Sequence, residues 1–167
     1  MNDKKQLLKC ARHIQKLAEE SYVELGANFI EDTYQKALAI SFRQEKIKYL
    51  KEANIEIFFK GESLGLFRLD FLLPAQKNKK WHLKNPLIIE TKVLSQLNAD
   101  ARSQLKKYLL SAPKNSSENF NKARDGILLN WKKGDPDEPA NKSNGGVEIE
   151  LWTMKSKKLS NISLGES

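Results

Sequence analysis

The stretch Pro86-Leu87-Ile88-Ile89-Glu90-Thr91-Lys92-Val93-Leu94 decides how the rest of the chain is read. It is nearly continuous in apolar residues, the pattern of a strand covered on both faces of a sheet. Two charges interrupt it. Burying a charge is costly unless the charge is paired or binds a metal. Side chains alternate along a strand, so Glu90 and Lys92 share one face while Ile89, Thr91 and Val93 share the other. A carboxylate and an ammonium two residues apart, at the end of a buried strand, form a compact polar corner. For this strand alone, an ion pair or a strand end emerging into solvent explains the charges equally well.

Upstream, Leu64-Gly65-Leu66-Phe67-Arg68-Leu69-Asp70-Phe71-Leu72-Leu73 repeats the anomaly, being apolar except for Arg68 and Asp70. Ile55 to Phe59 reads as a strand, Lys60-Gly61-Glu62 as a turn, and Leu64 to Leu73 as the returning arm of a hairpin. If that arm pairs with the Leu87 to Leu94 strand, Asp70 and Glu90 can share one metal ion. Their oxygen ligands suit Mg²⁺ or Mn²⁺. Two anomalous strands in this order favour a site over two unrelated ion pairs. Arg68 either faces that site or pairs with Asp70.

Outward from these strands, helical periodicity covers about Lys4 to Glu24, ended by Gly26, and about Phe29 to Leu50, with Asn28 as the cap. A third helix spans about Ala99 to Ser111 and stops before Pro113. Gly126 to Trp131 and Val147 to Trp152 are further strands. Pro74 to Asn85, Lys114 to Lys122 and Lys132 to Gly146 read as loops or exposed connections. The order predicts an α/β sandwich around a mixed five-stranded sheet flanked by helices. One domain over residues 1–167 is expected, with a core of about 25–152 and a flexible tail of about 156–167.

With 40% hydrophobic and 30% charged residues, the composition is that of a globular chain rather than a disordered one. The net charge of +8 favours a polyanionic partner, because lysines and arginines gain by replacing counterions on phosphates. A single cysteine, Cys10, excludes an internal disulfide and a cysteine-ligated zinc site, and it sits on the apolar face of the first helix. No apolar stretch reaches the length of a membrane span, and no signal peptide is evident, so the expected location is cytoplasmic. His13 and His82 lack carboxylate or cysteine neighbours at metal-ligand spacing. Lys77, Lys79, Lys80 and Lys84, with Trp81 among them, read as a solvated loop before they read as a DNA contact.

Asp70 followed by Glu90-Thr91-Lys92 resembles the D…(D/E)-x-K signature of the PD-(D/E)XK nucleases. Gln104-Leu105-Lys106-Lys107-Tyr108 resembles the Q-x-x-x-Y motif of their RecB-like exonuclease branch, and the i, i+4 spacing puts Gln104 and Tyr108 on one helical face. Asn28-Phe29-Ile30-Glu31-Asp32-Thr33-Tyr34 resembles the motif naming the GxxExxY family, with Asn28 where that family has glycine. Gly61, Leu66 to Asp70 and Gly126 to Trp131 look like that family's other landmarks.

The resemblance implies a restriction-endonuclease-like core and hydrolysis of DNA phosphodiester bonds with Mg²⁺ (or Mn²⁺). Asp70 and Glu90 would bind the metal, with Glu31 joining from the side. Lys92 would assist the nucleophile, and Gln104 with Tyr108 would support Lys92 or the phosphate. Arg68 is a further support candidate. DNA is the expected partner, no membrane is, and a homodimer is compatible. Two alternatives stand beside the nuclease: a catalytically inactive nucleic-acid-binding or assembly module on the same fold, and a protein-interaction domain whose charged corner is an ion-paired core.

Overall fold

The computed structural model describes residues 1–134 and 146–165. Most of the connection read over Lys132 to Gly146 therefore lies outside the described residues. The chain opens with α1 (Lys4–Leu25), capped by the Asp3 carboxylate on the Gln6 N–H and ended at Gly26, whose φ is +85°. Next comes α2 (Glu31–Gln44), shorter than its periodicity suggests. Lys46 turns left-handed (φ +57°) and Ile47 N–H returns to the Phe42 carbonyl, which stops the helix. Asn28 is not its cap: Ile30 holds that position without a side-chain bond.

The long hairpin is one antiparallel unit bent in the middle. At its root, β1 (Leu50–Lys51) pairs with the later strand β4 (Phe71–Leu73). At its tip, β2 (Asn54–Phe59) pairs with β3 (Glu62–Arg68) through the Lys60-Gly61 turn, where both residues have positive φ. Glu52, at φ +58°, makes the bend, and the bonds Glu52 N–H to Asp70 O and Leu69 N–H to Ala53 O carry the pairing across it. The single returning arm read from Leu64 to Leu73 is thus two strands, divided at Leu69-Asp70.

Next, β5 (Gln76–Lys77) and β6 (His82–Leu83) form a small ribbon inside the segment read as a loop. Trp81 there is buried and donates its indole N–H to Nδ1 of His13 at 3.0 Å, so it is part of the core and cannot contact DNA. The central strand β7 (Leu87–Lys92) follows, then α3 (Ala99–Ser111), capped by Asn98. A 3-10 turn (Ala112–Lys114) and α4 (Glu118–Asn121) lead into β8 (Asp125–Trp131), β9 (Val147–Lys155) and β10 (Lys158–Ile162). Ser156 and Lys157 both take positive φ, so β10 folds back on β9 where a tail was expected.

The main sheet has six strands in the order β1-β4-β7-β8-β9-β10, one more than the five expected. Only β7 and β8 run parallel; the other neighbours are antiparallel. On one face, Phe71, Leu73, Leu87, Ile89, Ile127, Leu129 and Trp131 pack under α1 and α2. On the other, Leu72, Ile88 and Leu128 pack under α3 and Ile55 of β2. Gly126 lets α3 approach: a Cβ there would stand 2.6 Å from Leu105 Cδ1. The strand alternation that buries Ile88 under α3 therefore sends Glu90 and Lys92 to that face and Thr91 toward α2.

Arg102 of α3 clamps β9 by two bonds to the Glu150 carboxylate, at 2.9 and 2.7 Å, and Trp152 adds a third at 3.0 Å. The guanidinium holds the Glu150 carboxyl below the usual carboxylate range. A group whose folded pKa is depressed stabilises the fold above its unfolded value, about 4.3, and loses that contribution as pH falls through the folded value. Glu150→Gln should cost about 1 kcal/mol at neutral pH, an amount discounted for partial exposure. The difference from wild type should close in acid, read by chemical denaturation at pH 7 and below pH 4.

Candidate active site at the end of the central strand

The register Phe71↔Ile89 brings Asp70 beside Glu90 at the place where β4 leaves the sheet. There the backbone ladder gives way to a reciprocal exchange. The Asp70 N–H donates to Glu90 Oε1 at 3.2 Å, and the Thr91 N–H donates to Asp70 Oδ2 at 2.7 Å. Each carboxylate is held by backbone next to the other. Glu90 is 2% exposed, so burial, and then the charge of Asp70, pushes its carboxyl well above the usual range.

From the opposite face, α2 delivers Glu31. Its Oε1 accepts from the Thr91 hydroxyl at 2.8 Å and from Gln35 Nε2 at 3.0 Å, and Gln35 also donates to Thr91 Oγ1 at 2.7 Å. Burial raises the Glu31 carboxyl; the Thr91 bond opposes this and the Asp70 charge adds to it. The Thr91 hydroxyl also lies 3.1 Å from Asp70 Oδ2, but it has one proton and can satisfy only one carboxylate at a time.

Tyr34 fixes the entry to α2. Its hydroxyl donates to the Gly26 carbonyl at 2.6 Å and accepts the Phe29 N–H at 3.3 Å. Its ring stacks on Trp131, with centroids 5.2 Å apart. Asn28 adopts φ +70°, a conformation suited to glycine and tolerated by asparagine, and its Oδ1 accepts the Gly134 N–H.

Lys92 lies on the α3 side. Its ammonium donates to Gln104 Oε1 at 2.7 Å, Gln104 Nε2 donates to the Tyr108 hydroxyl at 3.0 Å, and that hydroxyl reaches the Arg68 carbonyl at 3.5 Å. The side chain of Arg68 points elsewhere, 3.5 Å from Glu52. On β8, Asn130 stands opposite Lys92 and bonds both the N–H and the carbonyl of Leu94, fixing the chain as it leaves β7.

A family model described as the PD-(D/E)XK nuclease superfamily matches residues 9–142. The chain belongs to that superfamily. No curated protein and no solved structure matches it significantly. The helix-flanked mixed sheet is consistent with the superfamily's restriction-endonuclease-like fold.

Such nucleases generally use divalent metal ions, and the donor set is suited to one. Asp70, Glu90 and Glu31 bring three carboxylates and Lys92 one ammonium, a net −2 when all are ionised. These hard oxygen donors fit Mg²⁺ or Mn²⁺. Asp70 and Glu90 are adjacent, whereas Glu31 is joined to them through Thr91. Among the described residues, no three His, Cys, Asp or Glu side chains are already gathered as a metal cluster.

The sequence reading gave no role to the side chains of two members of this network, Thr91, whose backbone carbonyl alone it considered for the metal, and Gln35. Gln35 carries a visible signal, since it lies four residues after Glu31 on the same helical face. Thr91 carries none, because an apolar-facing threonine in a strand is ordinary.

Crowding a buried carboxylate against Asp70 costs stability when no cation is present. Glu90→Gln should therefore melt higher than wild type in chelator at neutral pH, measured by calorimetry. A lower melting temperature would show that the Glu90 charge is already compensated within the fold.

Proposed function

We propose that the chain is a metal-dependent nuclease that hydrolyses DNA phosphodiester bonds. The observation that carries this reading is the pair of bonds from the Asp70 N–H to Glu90 and from the Thr91 N–H to Asp70, beside a lysine held by Gln104. Asp70 and Glu90 would hold Mg²⁺ or Mn²⁺, with Glu31 as the flanking acid. When bound, such an ion supplies Lewis acidity toward a phosphate oxygen and eases the deprotonation of water.

The protein's own residues do the positioning. Gln104 Oε1 accepts a hydrogen bond from one of the three Lys92 ammonium N–H groups, and the other two would be left for the substrate. In that position Lys92 orients the attacking water and offsets charge that builds on the phosphate oxygens. Tyr108 locks the Gln104 amide so that its oxygen faces Lys92. Thr91 and Gln35 keep Glu31 turned toward Asp70. The +8 net charge supports a DNA substrate. A second copy of the chain would provide a second site for the opposite strand. No helix among the described residues is long and apolar enough to cross a membrane. A cytoplasmic location fits a chain with one buried cysteine. The GxxExxY branch, with its Q-x-x-x-Y feature, is the assignment supported by the roles of Glu31, Tyr34, Gln104 and Tyr108.

Purified wild type should cut circular single-stranded or linear double-stranded DNA with Mg²⁺ or Mn²⁺. Glu90→Ala and Lys92→Ala should lose at least about 100-fold in rate. Mg²⁺ should raise the melting temperature of wild type but not of Glu90→Ala, because a ligand bound only by the native state stabilises it. A folded wild type that binds DNA without cutting it under any divalent ion would assign the chain to the inactive binding module instead. Full activity in Lys92→Ala would remove that residue from the chemistry.

A further inference from the structure

At the C-terminal end of α3, away from Gln104, an open cavity of about 490 Å³ lies between α3, β2 and the turn joining β9 to β10. Ligand sites typically measure about 300–1,000 Å³. Ile57 and Phe58 of β2, Leu110 of α3 and Met154 of β9 give the cavity apolar walls. Four cations line it from four separate places: Lys107 on α3, Lys114 in the 3-10 turn, Arg124 at the lead into β8, and Lys157 in the turn after β9. No acid lines it. Among the described residues, none of the four cations is within ion-pair reach of a carboxylate.

Like charges gathered around an apolar hollow repel one another unless an anion sits among them. The concentration is local: residues 103–124 and 153–158, which carry most of the cavity, hold eight lysines and arginines against one acid, Glu118, in a chain of net +8. A single carboxylate would engage one or two of these cations, whereas a nucleic acid strand presents a phosphate at every residue. Between the phosphates, the apolar walls suit the flat face of a base. A peptide strand fits less well, because the β2 edge that it would extend is closed. There Asn115 accepts the Glu56 N–H at 2.9 Å and donates to the Glu56 carbonyl at 3.1 Å. A duplex also fits less well, since its bases are stacked and paired and none can enter without being extruded.

We propose that this cavity binds an unpaired nucleotide of single-stranded DNA, its base against Phe58 and Leu110 and the flanking phosphates on Lys107, Lys114, Arg124 and Lys157. The inference deepens the nuclease reading and rests on it for the choice of DNA as the polymer. Helix α3 joins the two places. Gln104 holds Lys92, and Ser111, at the cavity, lies about 10 Å further along the helix axis. One strand therefore runs from the catalytic cluster to the cavity within a few nucleotides. Arg124 is preset for its share, because its Nη1 is fixed by bonds to the Asn121 and Ala123 carbonyls, both at 2.9 Å.

The test is fluorescence anisotropy of a short labelled oligothymidylate with the full chain in chelator, so that binding is read apart from cutting. Lys114→Ala combined with Lys157→Ala, both at exposed positions, should weaken binding at least about tenfold at low salt and flatten the slope of log affinity against log salt by about 1.4, or about 0.7 per phosphate contact. Phe58→Ala should weaken binding about tenfold without changing that slope, because it removes stacking and no charge. Phe58→Tyr should bind as wild type does, which separates lost stacking from a lost fold. A duplex of the same length should compete at least about tenfold more weakly than the single strand. Unchanged affinity in both the lysine pair and Phe58→Ala overturns the proposal. A duplex that competes equally while Phe58→Ala binds normally also overturns it, being the result for a basic surface without a base site. Displacement of the oligomer by an equal concentration of free nucleoside diphosphate would reassign the cavity to a soluble nucleotide. Wild type that binds as expected but never cuts with any divalent ion removes the nuclease reading and keeps the cavity; wild type that cuts while the variants bind normally does the reverse.

Discussion

Two hydrogen bonds at the end of the central strand organise the rest of the molecule: Asp70 N–H to Glu90 and Thr91 N–H to Asp70. They satisfy backbone groups that a continuing ladder would have used, and they use carboxylates to do it. The cost is a buried carboxyl set beside a partly exposed one; burial, and then the Asp70 charge, raises the Glu90 carboxyl. Such a pair persists only where the surrounding structure holds both groups. Here β4 and β7 are locked in register by Phe71, Leu72 and Leu73 against Leu87, Ile88 and Ile89. At the bend the Asp70 carbonyl still accepts the Glu52 N–H, while its own N–H turns to Glu90.

The site draws on both faces of the sheet. Glu90 and Lys92 lie with α3, and Thr91 lies with α2, as strand alternation requires. Two helices therefore reach a single strand end from opposite sides, each through a glutamine. Gln35 positions Thr91 and Glu31, and Gln104 positions Lys92. A glutamine amide suits both tasks, because it donates and accepts at once. Behind these contacts, Tyr34 between Tyr22 and Trp131, and Leu105 against Gly126, set the height of each helix above the sheet.

Much of this was legible in the chain. Charges breaking apolar runs at Asp70, Glu90 and Lys92 marked the strand ends, because an unpaired buried charge is too costly to occur without a reason. The i, i+4 pair Gln104 and Tyr108 marked the supporting helix face. Asn28, read as a helix cap, instead takes φ +70°, a conformation that asparagine tolerates. Trp81, interleaved with lysines, looked like a surface aromatic; only the packing of the small ribbon against α1 shows it bonded to His13.

Local pattern by itself determined where the three long helices lie, that the Leu87 to Lys92 strand is buried on both faces, and which charged residues need a partner. These follow from periodicity and from the cost of burying charge, which act over a few residues. Tertiary structure decided where the hairpin bends, that β10 folds back as a sixth strand, that Arg68 turns to Glu52, and that Thr91 and Gln35 link Glu31 to Asp70. Those outcomes depend on contacts between segments distant in sequence, whose energies no local window of the chain contains.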